Sequence, residues 1–224
     1  MTMDESPAAV KTKRTYDSTR RRARAQQTRT AVLDTALRRF LADGYFATTI
    51  ASIAAEAGVS VETIYKAFGS KAGIVLALRS RALEGTGPIP AERRSNALQA
   101  READPRTVIA GWAALATDVS PRVSPILLLV RAAATSDAEM HVLHEEMEAD
   151  RLRRMSDNAR HLHGRGGLRA GITVEEVRDV LFTYSSPELY ELLVLRQGWT
   201  IDRYRQFLAD GMTASLVDAP TPPG

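Results

Sequence analysis

Between residues 25 and 75, apolar side chains recur at helical spacing in three short stretches, each closed by glycine at Asp43-Gly44, Gly58-Val59-Ser60 or Gly69-Ser70. Leu33, Leu37, Phe40 and Leu41 form the first stripe; Ile50, Ile53, Ala54 and Ala57 form the second; Val61, Ile64, Tyr65 and Phe68 form the third. Thr48-Thr49 and Ser60 supply N-caps for the second and third. Two short helices separated by three residues have the layout of a helix-turn-helix, whose second helix can lie in a DNA major groove. With Val61, Ile64 and Phe68 in the core, Glu62, Thr63 and Lys66 are exposed together with the phenolic end of Tyr65. Thr63, Tyr65 and Lys66 can donate hydrogen bonds to phosphate or base edges. The same corner also occurs as plain packing in helical proteins, so spacing alone leaves both readings open.

Charge bears on that choice. Residues 1 to 30 carry eight basic side chains against three acidic ones, a surplus of five, whereas the whole chain is only +3 and its remainder is therefore net −2. A basic arm on a slightly acidic body suits a polyanion, although a solubilising tail has the same composition. There is no cysteine among the 224 residues, which excludes disulfides, thiolate chemistry and cysteine-held metals. The longest unbroken aliphatic run is Ile126 to Val130, far short of the roughly 20 residues needed to cross a bilayer, so a cytoplasmic protein without membrane contact is expected.

Downstream, a fourth helix is expected from Ser70 to about Leu83, and residues 84–104 read as a connection with at most one short helical turn. Asp104-Pro105 opens a helix bearing Val108, Ile109, Trp112 and Leu115, and Arg122 to Thr135 reads as a separate, more apolar helix. Ser136 with Glu139 and Thr173 with Glu176 have the spacing of capping boxes. Pro187 suits the first position of a helix holding Leu189, Leu192 and Leu193, and Thr200 caps a last helix with Tyr204, Phe207, Leu208 and Met212. The expected fold is all-α, an N-terminal three-helix helix-turn-helix domain joined to a larger C-terminal helical domain. Residues 1–24 read as a flexible basic arm, 25–70 as the helix-turn-helix domain, 71–218 as the C-terminal helical domain, and 219–224 as a disordered tail.

The string GYFATTIASIAAEAGVSVETIYKAFGSKAGIV, residues 44–75, resembles the DNA-binding region of the TetR family of bacterial transcriptional regulators. The aromatic after Gly44, Thr48-Thr49, Ile53-Ala54, Ala57 to Ser60, Ile64-Tyr65, Phe68 and Lys71 fall in register with it. The resemblance implies that Thr49 caps the second helix and binds phosphate. It places Ser60, Val61, Glu62 and Thr63 at the entry of the recognition helix, has Tyr65 and Lys71 grip phosphates, and lets Lys66 reach a base or phosphate. Ile50 stands where several members carry a basic residue, which leaves the second helix without a base contact. Residues 185–212 resemble the ending of one TetR subgroup. That implies a homodimer formed through the last two long helices, with Leu189, Leu192, Leu193, Tyr204, Phe207 and Leu208 as the apolar face of a four-helix bundle.

The family resemblance further implies a double-stranded DNA operator of pseudo-palindromic form, repression, and release by a small-molecule effector bound in the body. Trp112, Met147, Arg151, Met155, Phe182 and Tyr184 are the candidate ligand-binding residues. Met147, Arg151 and Met155 share one helix face, where Arg151 could meet an acidic ligand group; an ordinary core stripe has the same pattern. His141 and His144 lie one turn apart, but Glu148 stands where a zinc-protease pattern requires histidine, and solvated helix surface is the expectation rather than a metal site. No phosphate loop or nucleophilic constellation is visible, so no cofactor and no enzymatic activity are expected. Control by a protein partner instead of a ligand, or a helical enzyme with a vestigial DNA unit, are the alternative functions.

Overall fold

The computed structural model describes the backbone from residue 12 to 218, except Thr86 and Pro88, and side chains from Thr19 onward. The expected tail at 219–224 and the first eleven residues of the expected arm lie outside the described residues. Every regular element among the described residues is helical, as periodicity predicts. The chain divides into two compact units, Met1–Ile74 and Val75–Gly224, a division four residues beyond the boundary expected at residue 70.

In the first unit, α1 (Thr12–Ala47) begins well before the helix expected from residue 25. Residues 12–24 are therefore helical rather than a flexible arm. From Ala8 to Asp43 the chain contains neither glycine nor proline, and its arginines, alanines and glutamines are strong helix formers. The expected stop at Gly44 is real: its φ of 83° and ψ of 169° are not helical and break α1 into two pieces. The buried stripe of α1 is Val32, Leu33, Thr35, Ala36 and Phe40; Leu41, expected inward, is 51% exposed.

Helix α2 (Ile50–Ala57) starts on a reciprocal box in which the Thr49 hydroxyl accepts from the Ser52 N–H and the Ser52 hydroxyl accepts from the Thr49 N–H. It ends at Gly58, whose φ of 67° is left-handed. Helix α3 (Val61–Phe68) follows, with Ser60 accepting from the Thr63 N–H at 3.1 Å. Helix α4 (Lys71–Glu84) crosses the division between the units.

The second unit contains α5 (Ala91–Arg101), α6 (Pro105–Ala134), α7 (Ala138–His163), α8 (Val174–Tyr184), the short α9 (Pro187–Tyr190) and α10 (Ile201–Leu216). Helix α5 occupies much of the segment expected to be a connection. Its Ser95 and Gln99 are polar yet buried, so no apolar stripe announces it. Helix α6 joins the two helices expected on either side of Pro121. A proline removes one intrahelical hydrogen bond and strains the preceding turn, but the neighbouring α7, α9 and α10 pack along α6 and hold it continuous. By length and composition α6 could cross a membrane. In this unit it instead serves as the central core helix, with Val108, Ile109, Ala113, Ile126 and Val130 all buried.

The N-cap of α7 is Asp137, which accepts from the Met140 N–H, and not the expected Ser136. Asp104, Thr173, Ser186 and Thr200 cap α6, α8, α9 and α10, with the Thr173–Glu176 box complete. From Glu191 to Arg196 the backbone is π-helical, continuing α9, a widening that hydrophobic spacing does not signal.

Tyr204 and Leu208, expected on the outward bundle face, point into this unit's own core, where each is 1% exposed. The reason is the space between α6, α8, α9 and α10, which an aromatic ring on α10 fills against Tyr190 of α9 at a centroid separation of 5.8 Å. Burial pushes the Tyr204 phenol well above its ordinary range, aided by Tyr190. A raised phenol pKa favours the neutral folded form, so this stability is complete below the unfolded value near pH 10 and is lost as pH rises beyond it. Tyr204→Phe is expected to move alkaline unfolding to higher pH, measured by circular dichroism alongside absorbance at 295 nm; an unchanged alkaline midpoint refutes this assignment.

Candidate nucleic-acid interface and body cavity

The first unit presents α3 on an unusually narrow footing. Six of its eight residues are exposed, Phe68 is half-buried, and Ile64 alone is fully buried at 1%. Val61, expected as a core anchor, is 40% exposed, because the first turn of α3 projects beyond its neighbours. Phe68 is covered from outside by Arg29, whose guanidinium lies 4.4 Å from the ring centroid and donates to the Ala67 carbonyl at 3.1 Å. Glu62 lies in the first turn and Lys66 in the last, each at the helix end that its charge favours.

Val61, Glu62, Thr63, Tyr65 and Lys66 thus share an outward surface, and Tyr65 is 52% exposed. The Thr63 and Ser60 hydroxyls are 2.8 Å apart, so the two share one hydrogen and retain one donor between them. Thr49 is exposed at the start of α2, with its hydroxyl oxygen engaged in the cap.

Lys71, expected to grip phosphate, is placed differently. Its ammonium donates to the Tyr45 carbonyl at 2.9 Å and the Thr48 carbonyl at 3.2 Å, and lies 3.9 Å from the Tyr45 ring centroid. Gly44 breaks the helical ladder just before these residues, and Lys71 meets carbonyl groups at that break. It acts as a tie within the unit. Glu56 is a second tie, receiving Arg38 and, at 2.6 Å, Arg39 Nε; these two guanidiniums hold its carboxyl below the usual range.

In the second unit a cavity of about 720 Å³ lies among α4, α5, α6, α7 and α8. Five of the six expected ligand-binding residues line it: Trp112, Met147, Arg151, Met155 and Tyr184. Phe182 does not; its ring lies against the Arg151 guanidinium at 3.4 Å. Arg151 is also satisfied by Glu148 at 2.7 Å, the Phe182 carbonyl at 2.6 Å and the Ser185 hydroxyl at 3.3 Å, so it clamps α7 to the end of α8. Arg151, expected as a group that could meet an acidic ligand, therefore lines the cavity with its donors already engaged.

Tyr184 keeps its place because Gly211 has no side chain: a Cβ there would run into the phenol ring. Sequence reasoning missed Ser95, Ser120, Ser124 and Asn158, which also line the cavity. Ser120 and Ser124, spaced by four within an apolar helix, are a signal that could have found two of them. The histidines form no metal-type cluster among the described residues, and His163 is hydrogen-bonded to the Ile172 carbonyl.

Comparison with known proteins adds to this geometry. No curated protein matches the sequence significantly. NalD of Pseudomonas aeruginosa, the secondary repressor of the MexAB-OprM multidrug efflux pump, has a similar structure with 18% identity and a TM-score of 0.66, covering 87% of this chain and 98% of NalD. SmeT in its triclosan complex gives 19% identity and a TM-score of 0.69, over 88% of this chain and 99% of SmeT. A candidate transcriptional regulator of Saccharomonospora viridis in complex with choline gives 24% identity and a TM-score of 0.65, over 87% of this chain and all of that one. These likenesses carry the fold across both units. Residues 32–78, from the core stripe of α1 into α4, match the family model of bacterial regulatory proteins, tetR family. Over residues 32–78 the chain carries the signature region of the TetR family of bacterial transcriptional regulators.

Proposed function

We propose that this protein is a homodimeric repressor that binds a pseudo-palindromic DNA operator through α3 and releases it when a small molecule occupies the body cavity. The observation that carries the DNA half is α3 itself, a helix with one buried pin and a polar outward surface. Packing alone gives no reason for so short a helix to leave Val61 and Tyr65 in solvent. Tyr65 and Lys66 contact phosphate or base edges, Thr49, Ser60 and Thr63 approach the backbone, and Val61 and Glu62 lie over the bases. Lys71 is a positioning residue that fixes the corner from which α3 projects.

Ligand control is supported by the cavity and by similar structures solved with choline and with triclosan. An effector that binds the DNA-incompetent state more tightly lowers operator affinity by the same factor as DNA lowers effector affinity. Dimerisation is supported by Leu192 and Leu195, 49% and 53% exposed on the π-helical segment, beside half-buried Leu189, Leu193 and Phe207. Two copies place two recognition helices on half-sites about 34 to 36 Å apart on DNA. The protein works as a regulator in the cytoplasm and not as an enzyme.

In vitro selection from random duplex DNA tests the reading directly, with a two-fold symmetric consensus expected; recovery of no consensus refutes operator recognition. On that operator, Tyr65→Phe is expected to weaken binding about tenfold and Lys66→Ala to lower the salt slope by about 0.9. Lys71→Ala is expected to lower the melting temperature while leaving the slope unchanged, and a reduced slope instead restores Lys71 as a phosphate contact. Sedimentation equilibrium should find the wild type dimeric and Leu192→Glu monomeric at micromolar concentration; a dimeric variant removes this surface from the interface.

A further inference from the structure

The cavity wall specifies the chemistry of its occupant. Its apolar part is built by Leu115, Val119, Val123, Leu127, Met147 and Leu181. The arginines at its edge are occupied by neighbouring carboxylates: Arg79 pairs with Asp150 at 3.2 Å, Arg151 with Glu148 at 2.7 Å, and Arg154 with Glu92 at 3.7 Å. Arg153 also pairs with Asp150. An anionic ligand has to break one of these pairs or enter without a counter-charge, and both are costly.

One stretch of the wall is polar, neutral and buried. Gln99 Nε2 donates to the Ser95 carbonyl at 3.3 Å, which fixes the orientation of this amide because a carbonyl only accepts. The same nitrogen lies 3.1 Å from Asn158 Oδ1, so the Asn158 oxygen faces Gln99 and its NH2 group faces away. No hydrogen bond from that NH2 group is found among the described residues, and Gln99 Oε1 beside it is buried without a partner. The Ser95 hydroxyl oxygen accepts from Trp112 Nε1 at 3.0 Å, which leaves its own hydrogen to donate. Ser95 and Asn158 are only 4% exposed, and both line the cavity. Two donors on largely buried residues therefore sit beside an apolar chamber of about 720 Å³, a size ordinary for a drug-sized ligand.

We infer that the cavity takes an uncharged lipophilic molecule carrying an acceptor oxygen, such as a ketone or ester carbonyl, which receives hydrogen bonds from Ser95 Oγ and Asn158 Nδ2. The inference rests on the reading of this cavity as the effector site. Carboxylates and phosphates are disfavoured, because every arginine of the wall is already paired; among the described residues of the wall a quaternary ammonium finds an unpaired carboxylate only at exposed Glu84, apart from the apolar lining. Trp112 shares the wall and its indole N–H is bonded to Ser95, so tryptophan fluorescence reports occupancy.

The test uses the full chain and three probes with the same tail length: 2-dodecanone, dodecanoate and dodecyltrimethylammonium, each below its aggregation concentration. Saturable binding of 2-dodecanone is expected, at least about tenfold tighter than either charged probe, by fluorescence and calorimetry. Ser95→Ala and Asn158→Ala are each expected to weaken the ketone about three- to tenfold, with folding checked by circular dichroism. Leu115→Trp, which fills the apolar end and leaves both donors in place, is expected to abolish binding. Equal or tighter binding of a charged probe, no saturable ketone binding, or ketone affinity within twofold of wild type in both polar variants overturns the inference. Operator affinity is measured in parallel: a ketone that fills the cavity without changing it overturns the effector reading and leaves the ligand chemistry standing.

Discussion

An eight-residue helix forms too few internal hydrogen bonds to repay its nucleation, so α3 exists only because its surroundings impose it. Ser60 satisfies an otherwise orphaned N–H at the start, Ile64 is buried beneath it, and Arg29 covers Phe68 and bonds the Ala67 carbonyl near its end. Lys71 and Glu56 brace the helices that form its seat. Because so little of α3 is spent on packing, most of its surface is left for a partner. The same economy makes the position of α3 depend on the residues of its seat.

The second unit solves the opposite problem. Its α6 is long enough to need no help in nucleating, yet Pro121 and Pro125 weaken its middle. Packing along its length holds it straight enough to serve as the axis of the core. On one side that core is closed by Tyr190, Tyr204, Leu208 and Leu216; on another it remains open as the cavity. The contrast follows from side-chain size: the rings of Tyr190 and Tyr204 fill the space between α9 and α10, whereas beyond Trp112 the α6 face of the chamber carries only serines and aliphatic side chains.

Charge placement separates structural from binding roles within each unit. Arg151 was an attractive ligand residue by spacing, and it does line the cavity, but its donors are taken by Glu148, Phe182 and Ser185. Lys71 was an attractive phosphate ligand by resemblance, and two backbone carbonyls hold it. A cation in a partly buried place is stabilised by whichever acceptors are within reach, and distant parts of the chain supply them. Ser95 and Asn158 show the converse: they are unremarkable in sequence, and their donors become available only because Trp112 and Gln99 occupy their acceptors.

The sequence by itself determined the helical class, the break at Gly44, the caps at Thr49, Ser60, Asp104, Thr173 and Thr200, and the helix-turn-helix register. Each of these depends on residues within about four positions of one another, where backbone hydrogen bonding and steric preference act directly. Only the tertiary structure decided that α5 is a helix, that α6 runs through its prolines, that Val61 faces out while Tyr204 and Leu208 face in, and that Arg151 and Lys71 are ties. Those outcomes depend on groups brought together from far along the chain, and helical periodicity marks an apolar side chain without saying which neighbour covers it.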